Sequence, residues 1–235
     1  MVPKGASYSS ETAWQYGTGG VSATFTSPLW QQGVNVSAVG GSTAMRNFPD
    51  VAMVADNVWI NYDHTTAYLD GTSCGAPLWA GIAALANEYC AALSKPQLGF
   101  LNPAIYAIGA SANYGASFND IKTGNNTWSN SPNQYYAATG YDLCTGWGTP
   151  KTDLIGYLSA YAGNANVVFV DFKYTGSTQN GQYATPFKTM SQGVNAVAVG
   201  GTVIVNGGGS NNLSSNTVAK RLTITAINGT ATVGR

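Results

Sequence analysis

The sequence predicts an α/β fold over residues 1–161 and a short β-rich segment over 167–235, on three observations. Short β-type runs, Val51-Ala52-Met53-Val54, Val58-Trp59-Ile60-Asn61-Tyr62 and Thr66-Ala67-Tyr68-Leu69, lead into an alanine-rich apolar stretch running from Ser73 to about Tyr89. A second helix opens at Asn102-Pro103-Ala104-Ile105-Tyr106, with proline in the early position where it is tolerated. Beyond Tyr161 the character changes to short strands at near-regular spacing, separated by Gly, Asn and Ser turns.

Composition narrows the function classes. The chain has 235 residues, enough for one large or two modest domains, and only 9% of them are charged. Net charge is zero, so there is no basic patch to hold nucleic acid and no charged tail. A surface of hydroxyls and amides changes little in acid, which is compatible with an extracellular acid protein. The first ten residues lack the apolar core of a signal peptide, and no run is long enough to span a bilayer, so no membrane role is expected.

The second and third β-type runs read as a hairpin, which makes His64, in Asn61-Tyr62-Asp63-His64-Thr65-Thr66, a loop residue. The chain then enters Asp70-Gly71-Thr72-Ser73-Cys74-Gly75-Ala76-Pro77-Leu78-Trp79-Ala80-Gly81-Ile82. Ser73 stands at the start of what reads as one long, largely buried helix, beside unpaired backbone N–H groups and the positive end of the helix dipole. Two roles fit that position: a helix cap, or a nucleophile whose developing negative charge is stabilised there.

Gly71-Thr72-Ser73-Cys74-Gly75 also matches Gly-x-Ser-x-Gly, but the nucleophile elbow needs an acid and then a histidine after the serine. The single histidine, His64, precedes it, and the elbow reading fails. A catalytic Ser73 would need a carboxylate as its base, and with an intrinsic carboxylate pKa of about 4 such an enzyme works in acid. Among local carboxylates, Asp50 reads as structural and Asp70 abuts the serine.

Further on, Asp120 and Asp142 flank a Gly- and Asn-rich loop, Lys122 to Asn133, that can fold back to bring them together. Two readings stand side by side: a site for calcium, a hard cation that takes six to eight oxygens, or two aspartates capping turns. Three cysteines, Cys74, Cys90 and Cys144, leave at least one thiol and show no zinc spacing. Cys74 reads as a small buried filler, and a Cys90–Cys144 disulfide is one pairing the count allows.

Near Tyr161, residues 162–166 read as a linker. Val167 to Phe172 follows, then a short helix from Pro186 to Gly200-Gly201 and the strands Thr202 to Val205 and Leu222 to Ala226. This part resembles the opening coils of the pectin-lyase-like right-handed parallel β-helices, in which a cap helix covers the first coil. The resemblance implies a passive role as a stalk or a polysaccharide holder, since no acidic cluster supports a lyase site.

The first part resembles the sedolisins, serine-carboxyl peptidases related in fold to subtilisin. Five blocks agree in order over about residues 8 to 160. They are Glu11 and Trp14 through Gly19-Gly20, Pro28 and Trp30-Gln31; Arg46 with Pro49-Asp50-Val51-Ala52; Gly71-Thr72-Ser73 with Ala76-Pro77-Leu78-Trp79-Ala80-Gly81; Gly99 through Tyr106; and Phe118-Asn119-Asp120-Ile121 with Gly140 through Pro150. The resemblance implies a partial subtilisin-like domain, the later part of the catalytic domain of a secreted acid endopeptidase acting on a peptide or protein substrate, with Ser73 as nucleophile. It implies that the serine's glutamate partner, the aspartate that orients it and the oxyanion aspartate belong to upstream segments, so this chain alone is expected to show little or no peptidase activity. It also implies a calcium ion held by the carboxylates of Asp120 and Asp142 and the carbonyls of Ile121, Ala138 and Gly140, with Ala138 standing where the family usually has glycine. The competing reading from another class is a non-catalytic extracellular binding or adhesin module derived from a peptidase.

Overall fold

A computed structural model describes residues 8–28, 30–129, 135–162, 167–181, 185–197, 201–211, 218, 222–227 and 229–233. They form two compact units, Met1–Leu85 with Ile105–Tyr157, and Ala86–Ala104 with Leu158–Arg235. Of the expected linker, residues 163–166 lie outside the described residues, as do 130–133 of the Lys122–Asn133 loop and Gly200 at the expected end of the late helix.

In the first unit, β1 (Gly20–Thr26) pairs antiparallel with β2 (Met45–Phe48). β3 (Val58–Tyr62) and β4 (Thr65–Leu69) form the expected hairpin, in register from Val58↔Leu69 to Tyr62↔Thr65. Asp63 and His64 are its two turn residues, both with positive φ (48° and 59°), the backbone that a two-residue hairpin turn requires. A 3-10 turn, Thr72–Cys74, runs straight into α1 (Gly75–Ala92), which belongs to the first unit as far as Leu85. α2 (Asn102–Gly109), which belongs to this unit from Ile105 on, α3 (Tyr114–Ser117), the antiparallel pair β5 (Phe118–Asn119) and β6 (Thr149–Pro150), and α4 (Asp153–Ala160), which belongs to it as far as Tyr157, follow.

Aromatic side chains fill the core of this unit. Trp147 meets Tyr106, Tyr114 and Tyr141 edge-on, with ring centroids 5.9, 5.4 and 5.5 Å away, worth roughly 0.5–1.5 kcal/mol per pair beyond burial. Gly109 admits that ring: a Cβ there would stand 2.4 Å from Trp147. Gln31, Asn47, Tyr106 and Asp50 pair with one another inside this core. The Gln31 amide donates to Tyr106 Oη at 2.7 Å and to the Asn47 carbonyl at 2.9 Å, and it accepts from Asn47 N at 2.7 Å. Tyr106 donates in turn to Asp50 Oδ1 at 2.7 Å, and Arg46 Nη2 grips both Asp50 oxygens at 2.6 Å. Burial works against the guanidinium charge, but the bonds to Asp50 more than restore it and leave the Arg46 pKa raised. Burial also pushes the Tyr106 hydroxyl far above the ordinary phenol range, with the Asp50 charge adding to it. Asp50 is thus an anchor for the Pro49–Val51 segment.

Three expectations need correction here. α1 is not largely buried: only Ala86 and Cys90 are, while Leu78, Leu85 and Tyr89 stay 40%, 52% and 44% exposed. Apolar composition creates the demand for cover, and the described residues supply cover along one strip only. Cys74 is half-buried rather than a buried filler, because it sits in the turn ahead of the helix, and all three cysteines are free thiols, so the Cys90–Cys144 disulfide is not formed. Val51–Val54 is not a strand; it runs without helix, turn or bend but joins no ladder.

In the second unit, β7 (Val167–Val170), α5 (Met190–Ala196), β8 (Thr202–Asn206), β9 (Ser210–Asn211), β10 (Thr223–Ile227) and β11 (Thr232–Val233) form two parallel sheets. One has the order β10-β8-β7, with Val167, Thr202 and Thr223 side by side; the other pairs Ser210 with Thr232. Val168, Val170, Val203 and Val205 point inward against Met190, Val194 and Val197. α5 is launched by a capping box in which the Thr189 hydroxyl accepts from Gln192 N and the Gln192 side chain accepts from Thr189 N.

Candidate functional site

Ser73 lies on the surface, in the Thr72–Cys74 turn. The turn is held from two sides: Gly71, at φ 144°, donates to the Ala55 carbonyl at 2.7 Å, and Asp70 Oδ1 accepts from Asn57 N at 2.6 Å. Asp70 therefore ties down the base of the β3–β4 hairpin. His64 sits at the opposite end of that hairpin, roughly 15 Å along a five-residue strand from the serine turn. The Ser73 hydroxyl makes no hydrogen bond among the described residues, so it is not spent on capping, and no carboxylate among them bonds to it.

Beside the turn opens a groove of about 870 Å³ within the first unit, whose lining includes Thr72, Gly75, Ala76 and Trp79. Met53 and Val54 run along it, close enough to α1 that a Cβ on Gly75 would stand 3.4 Å from Met53 Cβ. The Trp79 indole N–H donates to the Ala52 carbonyl at 2.9 Å. Trp14 and Tyr16 line the same groove and meet edge-on, and Tyr16 meets Trp128 in the same way.

The second constellation is built around the chain from Ala138 to Thr145. Asp142 is fully buried and accepts four hydrogen-bond donors: Ala138 N at 2.8 Å on one oxygen, Cys144 N at 2.9 Å and Thr145 N at 2.6 Å on the other, and the Thr145 hydroxyl across both. Asp120 Oδ1 accepts from Gly140 N at 3.1 Å, and its other oxygen stands 3.4 Å from Lys122 Nζ. The 138–140 backbone therefore links the two carboxylates, and Asp120, Ile121, Ala138, Gly140 and Asp142 fall in one neighbourhood. Gly140 has φ 80° and needs to be glycine; Ala138 is not in the left-handed region, so alanine costs nothing there.

Burial raises the Asp142 pKa above the ordinary carboxylate value, and the backbone N–H groups of Ala138, Thr145 and Cys144 pull it part of the way back. The neighbouring Cys144 thiol is pushed up to about 12, by burial first and the Asp142 charge second. No cation pairs with Asp142 among the described residues, in contrast to Asp50 with its arginine. A buried carboxylate that keeps its charge without a partner is costly, so the donor set fits a hard cation. No group of three or more His, Cys, Asp and Glu side chains is present among the described residues; main-chain carbonyls would have to complete the coordination.

The polar clamp of Gln31, Asn47, Arg46, Asp50 and Tyr106 was not visible in the sequence as one unit. Only the Arg46 and Asp50 pair, at helix-like spacing, offered a signal. Among the described residues, no helix is long and apolar enough to cross a membrane.

No family model matches the chain. It is similar to kumamolisin from Bacillus sp. (strain MN-32), 39% identical over 151 residues, which is 60% of this chain and 26% of that protein. It is also similar to tripeptidyl-peptidase sed1 of Aspergillus fumigatus, 41% identical over 106 residues covering 45% of this chain and 15% of that one, and to tripeptidyl-peptidase 1 of Bos taurus, 30% identical over 148 residues covering 57% and 25%. The chain spans about a quarter or less of the length of these relatives. Its homologues are thus peptidases of the sedolisin family, matched over part of their length, and they imply a subtilisin-like α/β domain for the matched residues.

Proposed function

We propose that this chain is the serine-bearing, calcium-binding portion of a sedolisin-type serine-carboxyl endopeptidase, secreted and acting on peptide or protein substrates, with Ser73 as its nucleophile. The observation that carries this is the exposed, unbonded Ser73 hydroxyl beside an open groove and ahead of an 18-residue helix. Backbone N–H groups at that helix start favour negative charge on an oxygen formed there. The hydroxyl still needs a base, and on this reading the glutamate and aspartate partners are those of upstream segments, as the sedolisin resemblance implies. Calcium would be held by Asp120 and Asp142 with the carbonyls of Ile121, Ala138 and Gly140. It would supply charge balance for the buried carboxylate and rigidity for the 138–145 loop, not chemistry at the serine.

The C-terminal unit is proposed to be the start of a right-handed parallel β-helix. Supporting this, one coil takes Thr202 to Thr223 and Ser210 to Thr232 in parallel register, with α5 packed on the first strand. A passive, polysaccharide-holding role suits such a coil. The reading as a non-catalytic extracellular module is favoured by one observation, that no carboxylate bonds to Ser73 among the described residues.

Two measurements test the serine. A peptide aldehyde carrying ¹³C at its carbonyl is expected to give a hemiacetal resonance with the chain, the Ser73 oxygen bonding to the carbonyl carbon and the proton passing to the aldehyde oxygen. Absence of that signal, or its persistence in Ser73→Ala, overturns the nucleophile. Hydrolysis of a denatured protein by the chain alone is expected to stay at background in acid. Acid-optimum cleavage that Ser73→Ala abolishes would refute the division of catalytic groups.

A further inference from the structure

The Val51–Ala55 segment lines the groove without joining a ladder. Ala52 is satisfied on both sides, its N–H donating to the Gly148 carbonyl at 3.0 Å and its carbonyl accepting from Trp79, while the Ala55 carbonyl takes the Gly71 N–H. The N–H and carbonyl groups of Met53 and Val54 and the N–H of Ala55 have no partner among the described residues. Alternate residues of an extended segment share one edge, so the N–H and carbonyl of Met53 and the N–H of Ala55 leave an unpaired edge along the groove, a template for an added strand. The lining suits an apolar strand: Val54 is 49% exposed, and Trp14, Ala76 and Trp79 line the same groove. Charge adds a further constraint. Glu11 and Asp56 line the groove, and no Lys, Arg or His does among its lining residues.

We propose that Met53–Ala55 is a strand-addition site for another polypeptide, which binds as an extended segment with apolar side chains and a lysine or arginine facing Glu11 and Asp56. Along one edge of the extended segment the incoming strand would exchange hydrogen bonds with the N–H and carbonyl of Met53 and accept from the Ala55 N–H, and its alternate side chains would cover the apolar lining. The interaction does not depend on the role of Ser73.

The test uses the full chain and a heptapeptide blocked at both ends, alternating valine and threonine with lysine at its centre. On saturation, amide exchange at Met53 and Ala55 is expected to slow by about tenfold, with Val54 unchanged. Binding should weaken with rising salt and when the lysine is replaced by glutamate. A peptide N-methylated at alternate residues, which cannot complete the ladder, should not bind in one of its two registers. All changes are in the peptide, so the fold of the protein is untouched. Protection at other amides, no protection at all, or equal binding by both N-methylated peptides overturns the strand-addition site; equal binding of the glutamate peptide overturns the charge assignment.

Discussion

Replacing Asp142 by asparagine separates two roles of one buried carboxylate. In the folded chain one Asp142 oxygen accepts from Ala138 N, while the other accepts from Cys144 N and Thr145 N. Asparagine keeps one acceptor oxygen, so its amide group must face a backbone N–H that then has no acceptor. Leaving a buried donor unsatisfied costs about 1–3 kcal/mol, and in a chain of this size each kcal/mol lowers the melting temperature by about 2–4 °C. A fall of about 2–12 °C is therefore expected for Asp142→Asn without calcium. The second role appears when calcium is added. At a concentration about 100-fold above its dissociation constant, the ion stabilises the native state by about 2.7 kcal/mol, a rise of about 5–11 °C in the wild-type chain. In Asp142→Asn that rise should vanish.

The pH dependence follows from the same group. Because burial raises the Asp142 pKa, the calcium-free folded chain holds this proton to a higher pH than the unfolded chain does. That contribution to stability is complete below the unfolded pKa of about 4 and is lost as pH climbs through the raised value. Calcium binds the ionised form, so its stabilising increment should grow across the same interval. All six tryptophans, Trp14, Trp30, Trp59, Trp79, Trp128 and Trp147, lie in the first unit, so fluorescence-detected melting reports that unit directly. Equal calcium increments in wild type and Asp142→Asn, or an increment that shrinks as pH rises, would refute the reasoning.

Two further outcomes follow from the packing. Tyr106→Phe removes the hydroxyl that joins Gln31 to Asp50, and urea unfolding followed by tryptophan fluorescence should show a loss of about 1–3 kcal/mol; an unchanged midpoint would mean the clamp does not hold the Pro49–Val51 segment. Thr189→Ala dismantles the capping box of α5 and should cost about 1 kcal/mol, seen as faster amide exchange in α5 with the tryptophan signal unmoved.

How much of this was legible in the sequence depends on how local each feature is. The β3–β4 hairpin could be read because both strands and their two turn residues are contiguous, and α2 because proline marks its first turn. β1 and β2 could not: their residues are mostly Gly, Ser, Thr and Ala in the first and a single Phe after polar groups in the second, and the pairing spans a long intervening loop. The Val51–Val54 run has β-type composition, yet composition carries no information about whether a neighbour supplies hydrogen bonds. α1 shows the same gap in helical form. Its apolar residues announce a face that wants cover, while burial is a property of whatever packs on it. The Gln31–Tyr106–Asp50–Arg46 clamp was out of reach for a simpler reason, since its members come from three separate stretches of chain.

Asp50 and Asp142 show why the candidate site takes the form it does. Both lie in the first unit and both bond to neighbouring side chains, but their charges are met differently. Asp50 is gripped by Arg46 and by the Tyr106 hydroxyl, so its neighbourhood is complete, and it serves to fix the backbone of a segment that borders the groove. Asp142 is more deeply buried and is surrounded by N–H and hydroxyl donors that carry no net charge. Hydrogen bonds lower the cost of its ionisation without cancelling it, which is why its pKa stays raised. Asp120, linked to it through the 138–140 backbone, adds a second carboxylate, whose own charge is met by Lys122 at 3.4 Å. A divalent cation between them would remove the penalty that Asp142 carries. The calcium proposal accordingly rests on the charge that Asp142 leaves uncompensated among the described residues.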